Sequence, residues 1–228
     1  MIVLMSAFLL LSAFSCGGGN KANSTSEQSE ETAVNVPQFD ADSAYLYVKN
    51  QVDFGPRVPN TKEHVACGNY LAGQLEAFGA QVTNQYADLI AYDGTLLKAR
   101  NIIGSYKPES KKRIALFAHW DTRPWADNDP DEKNHNTPIL GANDGASGVG
   151  ALLEIARLVN QQQPELGIDI ILLDAEDYGA PQFYTGQHKE EFWCLGSQYW
   201  ARNPHVQGYN ARFGILLDMV GGEGSVFM

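Results

Sequence analysis

The sequence predicts an α/β fold, a three-layer sandwich with a mostly parallel mixed central sheet. Three observations predict it. RIALFAH (113–119) and GIDIILLD (167–174) are nearly continuous apolar runs, the pattern of strands buried on both faces. Between them GASGVGALLEIARLVNQQ has apolar residues at helical spacing, the strand-helix-strand order that a parallel pair requires. GSQYWARN followed by FGILLDMV repeats that order.

The other segments follow in chain order. Residues 1–16 hold MIVLMSAFLLLSAFS and then Cys16, an apolar run too short to span a bilayer but suited to the core of a signal peptide. AFSC resembles a bacterial lipoprotein cleavage box, in which the Cys is acylated, although no Lys or Arg precedes Lys21 where a basic segment normally stands. A buried N-terminal helix is the competing reading of this run. Residues 17–36 are small and polar with almost nothing to bury, which reads as a flexible tether, and residues 37–228 as the folded domain. DADSAYLYVKNQVDF carries Asp and Ser caps ahead of helically spaced apolar residues; TKEHVACGNYLAGQLEAFG repeats the pattern, with Gly79 as its stop. AQVTNQYADLIAY and LLKARNIIGSY alternate and are rich in β-formers.

Composition narrows the functional classes. The 228 residues are 44% hydrophobic and 19% charged, a globular balance. Sixteen basic against 27 acidic residues leave a net charge of −11, which opposes binding to phosphate backbones and demotes nucleic acid as a partner. No apolar run reaches the roughly 18 residues of a membrane span, and no repeat period is visible. Cys67 and Cys194 read as two buried free thiols, with pairing open in an oxidising compartment.

In an open α/β sheet, ligands bind beyond the carboxyl ends of the parallel strands. His119 and Asp121 end the first apolar strand, Glu176 and Asp177 follow the second, Asp218 ends the third, and Asp144 opens the helix after the first. Carboxylates gathered at one edge repel one another unless a cation or shared protons offset them, so the simplest account is a metal site. Taken singly, Asp144 is equally a helix N-cap, Asp121 and Asp218 solvated strand ends, and Glu176 with Asp177 a charged turn. As neighbours on an extended backbone, Glu176 and Asp177 point opposite ways and do different jobs. Oxygen donors suit magnesium, calcium or manganese; a histidine ligand shifts the balance toward zinc. Of five histidines, only His119 stands at a strand end, and His64, His135, His188 and His205 read as surface residues. Trp125 and Trp193 lie in loops near the site, where they wall a pocket or are ordinary half-buried aromatics.

FGPRVPNT, NIIG, AHWDTRPWAD, PILGANDGASGVGALLEIAR, ILLDAEDYG, LGSQYWA and LLDMVGG occur in this order. Together they resemble the M28 metallopeptidase superfamily with its zinc aminopeptidase-like fold, and within it the bacterial branch of glutaminyl-peptide cyclotransferases. The resemblance implies an acyltransferase with one zinc ion, converting N-terminal Gln of peptides or proteins to pyroglutamate with release of ammonia. It implies Asp144 and Asp177 as zinc ligands, Glu176 as general acid/base, Asp218 as the carboxylate that positions the substrate amine, and His119 and Asp121 as supporting residues. The third ligand is then expected beyond Met228, in a longer chain. The Glu-Asp pair, where aminopeptidases of the superfamily usually carry Glu-Glu, favours the cyclase. A di-zinc aminopeptidase and a non-catalytic peptide-binding lipoprotein are the alternatives. With the lipid anchor at Cys16, the expected location is the bacterial cell envelope, periplasm-facing or surface-exposed.

Overall fold

A five-stranded mixed sheet runs in the order β1 (Gln81–Ile90), β2 (Leu96–Tyr106), β4 (Gly167–Leu173), β3 (Arg113–His119), β5 (Gly214–Leu216) through the computed structural model, which describes residues 35–224. The expected signal segment with Cys16, and the tether up to residue 34, lie outside the described residues. Pro37–Met228 form one compact unit.

Two helices open the unit. α1 (Ala41–Asp53) starts at Asp40, whose carboxylate accepts from the amides of Asp42 and Ser43. α2 (Lys62–Ala77) is capped by the Thr61 hydroxyl. It ends as predicted at Gly79, whose φ of 79° lets its amide reach the Glu76 carbonyl while the Ala80 amide reaches Leu75.

β1 (Gln81–Ile90) and β2 (Leu96–Tyr106) form an antiparallel hairpin, and β2 also pairs antiparallel with β4 (Gly167–Leu173). β3 (Arg113–His119) runs parallel to β4, with His119 opposite Leu173, and parallel to β5 (Gly214–Leu216) on its other side. The two continuous apolar runs are therefore the inner strands, and the parallel half of the sheet is the half that carries the acidic residues. α3 (Ala146–Gln161) is the crossover from β3 to β4, and α4 (Leu195–Arg202) precedes β5.

Side chains of the inner strands alternate between two apolar layers. Ile170 and Leu172 face Leu71 and Leu75 of α2 and Val149, Leu152 and Leu153 of α3; Ile171 and Leu173 face the opposite layer with Trp200 of α4. Each such Leu, fully removed from water, contributes roughly 1.5–3 kcal/mol. α1 packs on α3, outside the sheet.

Two histidines expected at the surface are not there. His64 of α2 is 3% exposed; its Nε2 donates to Asp174 at 2.8 Å and its ring stacks on Trp120 at 4.3 Å. A helical histidine turned toward the sheet is invisible to composition, because its partner lies 110 residues away. The His205 side chain is likewise buried, accepting from the Trp200 indole at 3.2 Å. His135 is half-buried and His188 exposed. Both Cys67 and Cys194 are free thiols; Cys67 is buried as expected, but Cys194, in the left-handed region (φ 53°) at the start of α4, is only half-buried.

Candidate metal and acid-base centre

Parallel pairing brings the ends of β3, β4 and β5 to one edge. The Trp120 amide donates to the Leu173 carbonyl, and the Leu217 amide to Phe117, so the residues that follow each strand stand side by side. Gly148 in the first turn of α3 lets the helix touch the β5 exit: a Cβ there would stand 2.1 Å from the Leu217 carbonyl oxygen. Ser147 and Asn143 then accept from the amides of Val220 and Gly221, which holds the segment carrying Asp218 against α3.

Asp144 is not the helix cap. α3 starts from Gly145 (φ 90°) with no side-chain cap, which leaves the Asp144 carboxylate turned to the site. His119 Nε2 stands 2.9 Å from Asp144 Oδ1 and 3.6 Å from Asp218 Oδ1, and its Nδ1 lies 3.5 Å from Asp121 Oδ1. Burial alone would pull this imidazole down, but the three carboxylates outweigh it and raise its pKa above the usual range; a cation bound at Nε2 would displace the proton there. The same contact holds the half-exposed Asp218 below the usual carboxylate range.

Glu176 and Asp177 do not lie on extended backbone. Ala175 takes a φ of 51°, and residues 174–177 form a bend whose polar groups are nearly all bound from outside. The amides of Cys194, Leu195 and Gly196, at the start of α4, donate to the carbonyls of Glu176, Ala175 and Asp174. The fully buried Asp121 carboxylate accepts from the amides of both Glu176 (3.0 Å) and Asp177 (3.1 Å). The backbone grip, not strand alternation, therefore sets where the two carboxylates point. Burial pushes Asp121 up, yet His119 and these two amides together keep it below its usual range.

Burial, reinforced by Asp121, Asp144 and Asp218, raises Glu176, with His119 opposing. Burial and then Asp121 push Asp177 up to about 7. Its Oδ2 is buried without a hydrogen-bond partner, a costly state for a carboxylate. One ligand atom from each of His119, Asp144 and Asp177 lies within 4.8 Å of the others. An orphaned carboxylate oxygen beside an imidazole and a second carboxylate fits a divalent cation, and the mixed nitrogen and oxygen donors suit zinc. His119 stands with Asp144 and Asp177 in this group; the resemblance gave it a supporting role and placed the third ligand beyond Met228.

Trp125 and Trp193 are both half-buried and flank one group, the guanidinium of Arg123, 5.6 Å and 4.8 Å from the two rings. Three residues that shape the edge were not singled out from sequence. Asp174 accepts from His64, the Arg100 amide and the Ala175 amide, fixing the start of the bend. Gly196 passes so near the Asp174 carbonyl that a Cβ would stand 2.1 Å from it. Arg57, fully buried, donates to the carbonyls of Trp120, Leu140 and Gly141, tying the β3 exit to the segment before Asp144. The signal was present, since each lies inside one of the ordered motifs, but nothing local marks which motif residues face inward.

Residues 101–228 match the model for peptidase family M28. Among solved structures, a glutaminyl cyclase from Bacteroides thetaiotaomicron with N-acetylhistamine bound is 94% identical, with a TM-score of 0.84 over 85% of this chain and 66% of that one. A Zn-dependent exopeptidase from Parabacteroides distasonis is 63% identical, with a TM-score of 0.83 and coverage of 85% and 66%. The glutaminyl-peptide cyclotransferase of Drosophila melanogaster is 24% identical over 80% of this chain and 50% of its own. This chain thus spans about two thirds of the two solved relatives and half of the insect protein. The match covers the strands and bends that assemble the acidic edge, and on that ground the chain belongs to peptidase family M28.

Proposed function

We propose that the protein is a zinc-dependent glutaminyl-peptide cyclotransferase acting on peptides or proteins with N-terminal Gln. The observation that carries this reading is the 94% identity to a glutaminyl cyclase across 85% of the chain. The geometry is consistent with the chemistry. His119, Asp144 and Asp177 would hold one zinc ion, which when bound supplies a Lewis acid for the carbonyl of the substrate's γ-carboxamide. The substrate's α-amine attacks that carbonyl carbon, forming the ring C–N bond, and the bond to the carboxamide nitrogen breaks with loss of ammonia. Glu176 takes a proton from the attacking amine and returns it to the leaving nitrogen. Burial raises its pKa above the ordinary carboxylate value, the direction that favours carrying the proton between the two nitrogens. Asp218, half-exposed at the β5 exit, is the carboxylate that orients the substrate's α-amine.

The exopeptidase name of the Parabacteroides relative favours a second reading, an aminopeptidase in which the same acid activates water. Incubation with Gln-initiated and Ala-initiated peptides decides between them. Ammonia and a pyroglutamyl product from the first alone support the cyclase; free amino acids from both overturn it. We also propose that Cys16 carries a lipid anchor to the cell envelope, a reading supported by the AFSC box alone.

A further inference from the structure

We propose that Arg123 is a positioning residue for this centre, acting through Asp177 and Trp193 rather than on the substrate. Asp177 is held at both of its backbone polar groups by charged side chains from the loop after β3. Its amide donates to Asp121 Oδ2 at 3.1 Å, and its carbonyl accepts from Arg123 Nη1 at 3.1 Å. The two grips come from residues two positions apart, one anionic and one cationic. Both ends of the Asp177 peptide units are thereby fixed, while its own carboxylate carries the orphaned Oδ2.

Arg123 is itself immobilised. Its Nε donates to Asp127 Oδ1 at 2.7 Å and its Nη2 to Asp127 Oδ2, a two-bond fork that fixes the guanidinium plane. Asp127 in turn accepts from the Gln182 amide, so both the 177–180 and the 182 positions of the following loop are tied to one ion pair. The Arg123 side chain is 11% exposed and that of Asp127 1%. The guanidinium also lies over the Trp193 ring, 4.8 Å from its centre, and Gly179 presses on the same ring, where a Cβ would come within 2.1 Å. Arg123 therefore joins the acidic bend and the tryptophan wall into one rigid unit. Lysine retains the charge but has neither the fork nor the planar face, so it cannot hold Asp127, the Asp177 carbonyl and Trp193 at once.

The inference rests on the metal and acid-base reading above for its zinc-affinity and rate readouts, and on the geometry alone for the tryptophan emission. The test uses Arg123→Lys and Asp127→Asn in the full chain, measuring zinc affinity by competition with a chromophoric chelator, tryptophan emission, thermal unfolding, and kcat and KM on a Gln-initiated peptide. Removing such an outer support should weaken zinc binding by about 10–100-fold and lower kcat to a similar degree, with a change in tryptophan emission in the folded protein. Asp127→Asn keeps the arginine while loosening it, and should show the same changes to a smaller degree, which preserves the test if the lysine variant does not fold. Folded variants with parental zinc affinity and emission, altered only in melting temperature, would overturn the proposal. If zinc affinity and emission change as stated while the parent releases no ammonia from Gln peptides, the positioning role stands and the cyclase reading fails.

Discussion

Gly148→Ala sets two opposing effects against each other at the site's edge. In a helix interior the change should stabilise by about 1 kcal/mol, because alanine has the higher helix propensity. Here, however, the new Cβ would stand 2.1 Å from the Leu217 oxygen and 3.1 Å from the Ala118 Cβ. The shortest ordinary C···O contact is ~3.3 Å, so one side must give by about 1.2 Å. α3 cannot, because Val149, Leu152 and Leu153 are fully buried beside it. The β5 exit gives more readily, since among the described residues Ile215 and Leu216 are 45% and 57% exposed where the α3 residues are fully buried. The β5 exit should therefore move by about 1 Å and take Asp218 with it. Overpacking of this kind costs roughly 1–3 kcal/mol, so after the propensity gain the net loss is about 0–2 kcal/mol and the melting temperature falls by up to about 8 °C. A 1 Å misplacement of a catalytic group costs on the order of 10²-fold, which is the expected loss of kcat. Gly73→Ala in α2 is the control, since its Cβ would meet nothing within 4 Å. It should raise stability by about 0.5–1 kcal/mol and leave turnover unchanged. If Gly148→Ala also raises the melting temperature and keeps parental turnover, the close approach of α3 to the β5 exit is not what positions Asp218.

Three further outcomes are expected. Glu176→Gln should cost about 10²- to 10⁴-fold in turnover while zinc stays bound, whereas Asp177→Asn should deplete the metal, as read by elemental analysis; the reverse pattern exchanges the two roles. Asp169 is raised by burial but held below its usual range by Arg113, Ser105 and Tyr209. The stability it adds is therefore present above the unfolded value of about 3.9 and lost as pH falls below it through the folded value. Asp169→Asn should flatten the acid limb of the stability-pH curve and cost on the order of 1.5–3 kcal/mol at neutral pH by removing the charge-assisted bonds from Arg113, which keeps its carbonyl partners, measured by denaturant unfolding. Cys16→Ala should release the protein from the membrane fraction on centrifugation, and retention as firm as the parent's would remove the lipid anchor from the account.

Much of the fold was legible because its signals are local. The buried strands β3 and β4 are short apolar runs, α3 is a helical stripe between them, and Asp40, Thr61 and Gly79 are cap residues read from their own neighbours. From strand order alone it also followed that His119, Asp144, Asp177 and Asp218 share one edge, since parallel strands with crossovers deliver their carboxyl ends to the same side. The sequence did not decide what each side chain does at that edge. Whether Asp144 caps a helix or faces the site depends on the φ of Gly145, and whether Glu176 and Asp177 diverge depends on three amides of α4 and on Asp121, 55 and 56 residues away. His64 was read as a surface residue because its type is usually polar and exposed, yet its partner Asp174 arrives only when α2 packs on the sheet. Arg123 was overlooked for the same reason. Its guanidinium gathers Asp127 from its own loop, the Asp177 carbonyl and the Trp193 ring, and only the fold brings the last two to it. Periodicity is a property of neighbours along the chain, whereas the orientation and protonation of these groups are set by contacts across it.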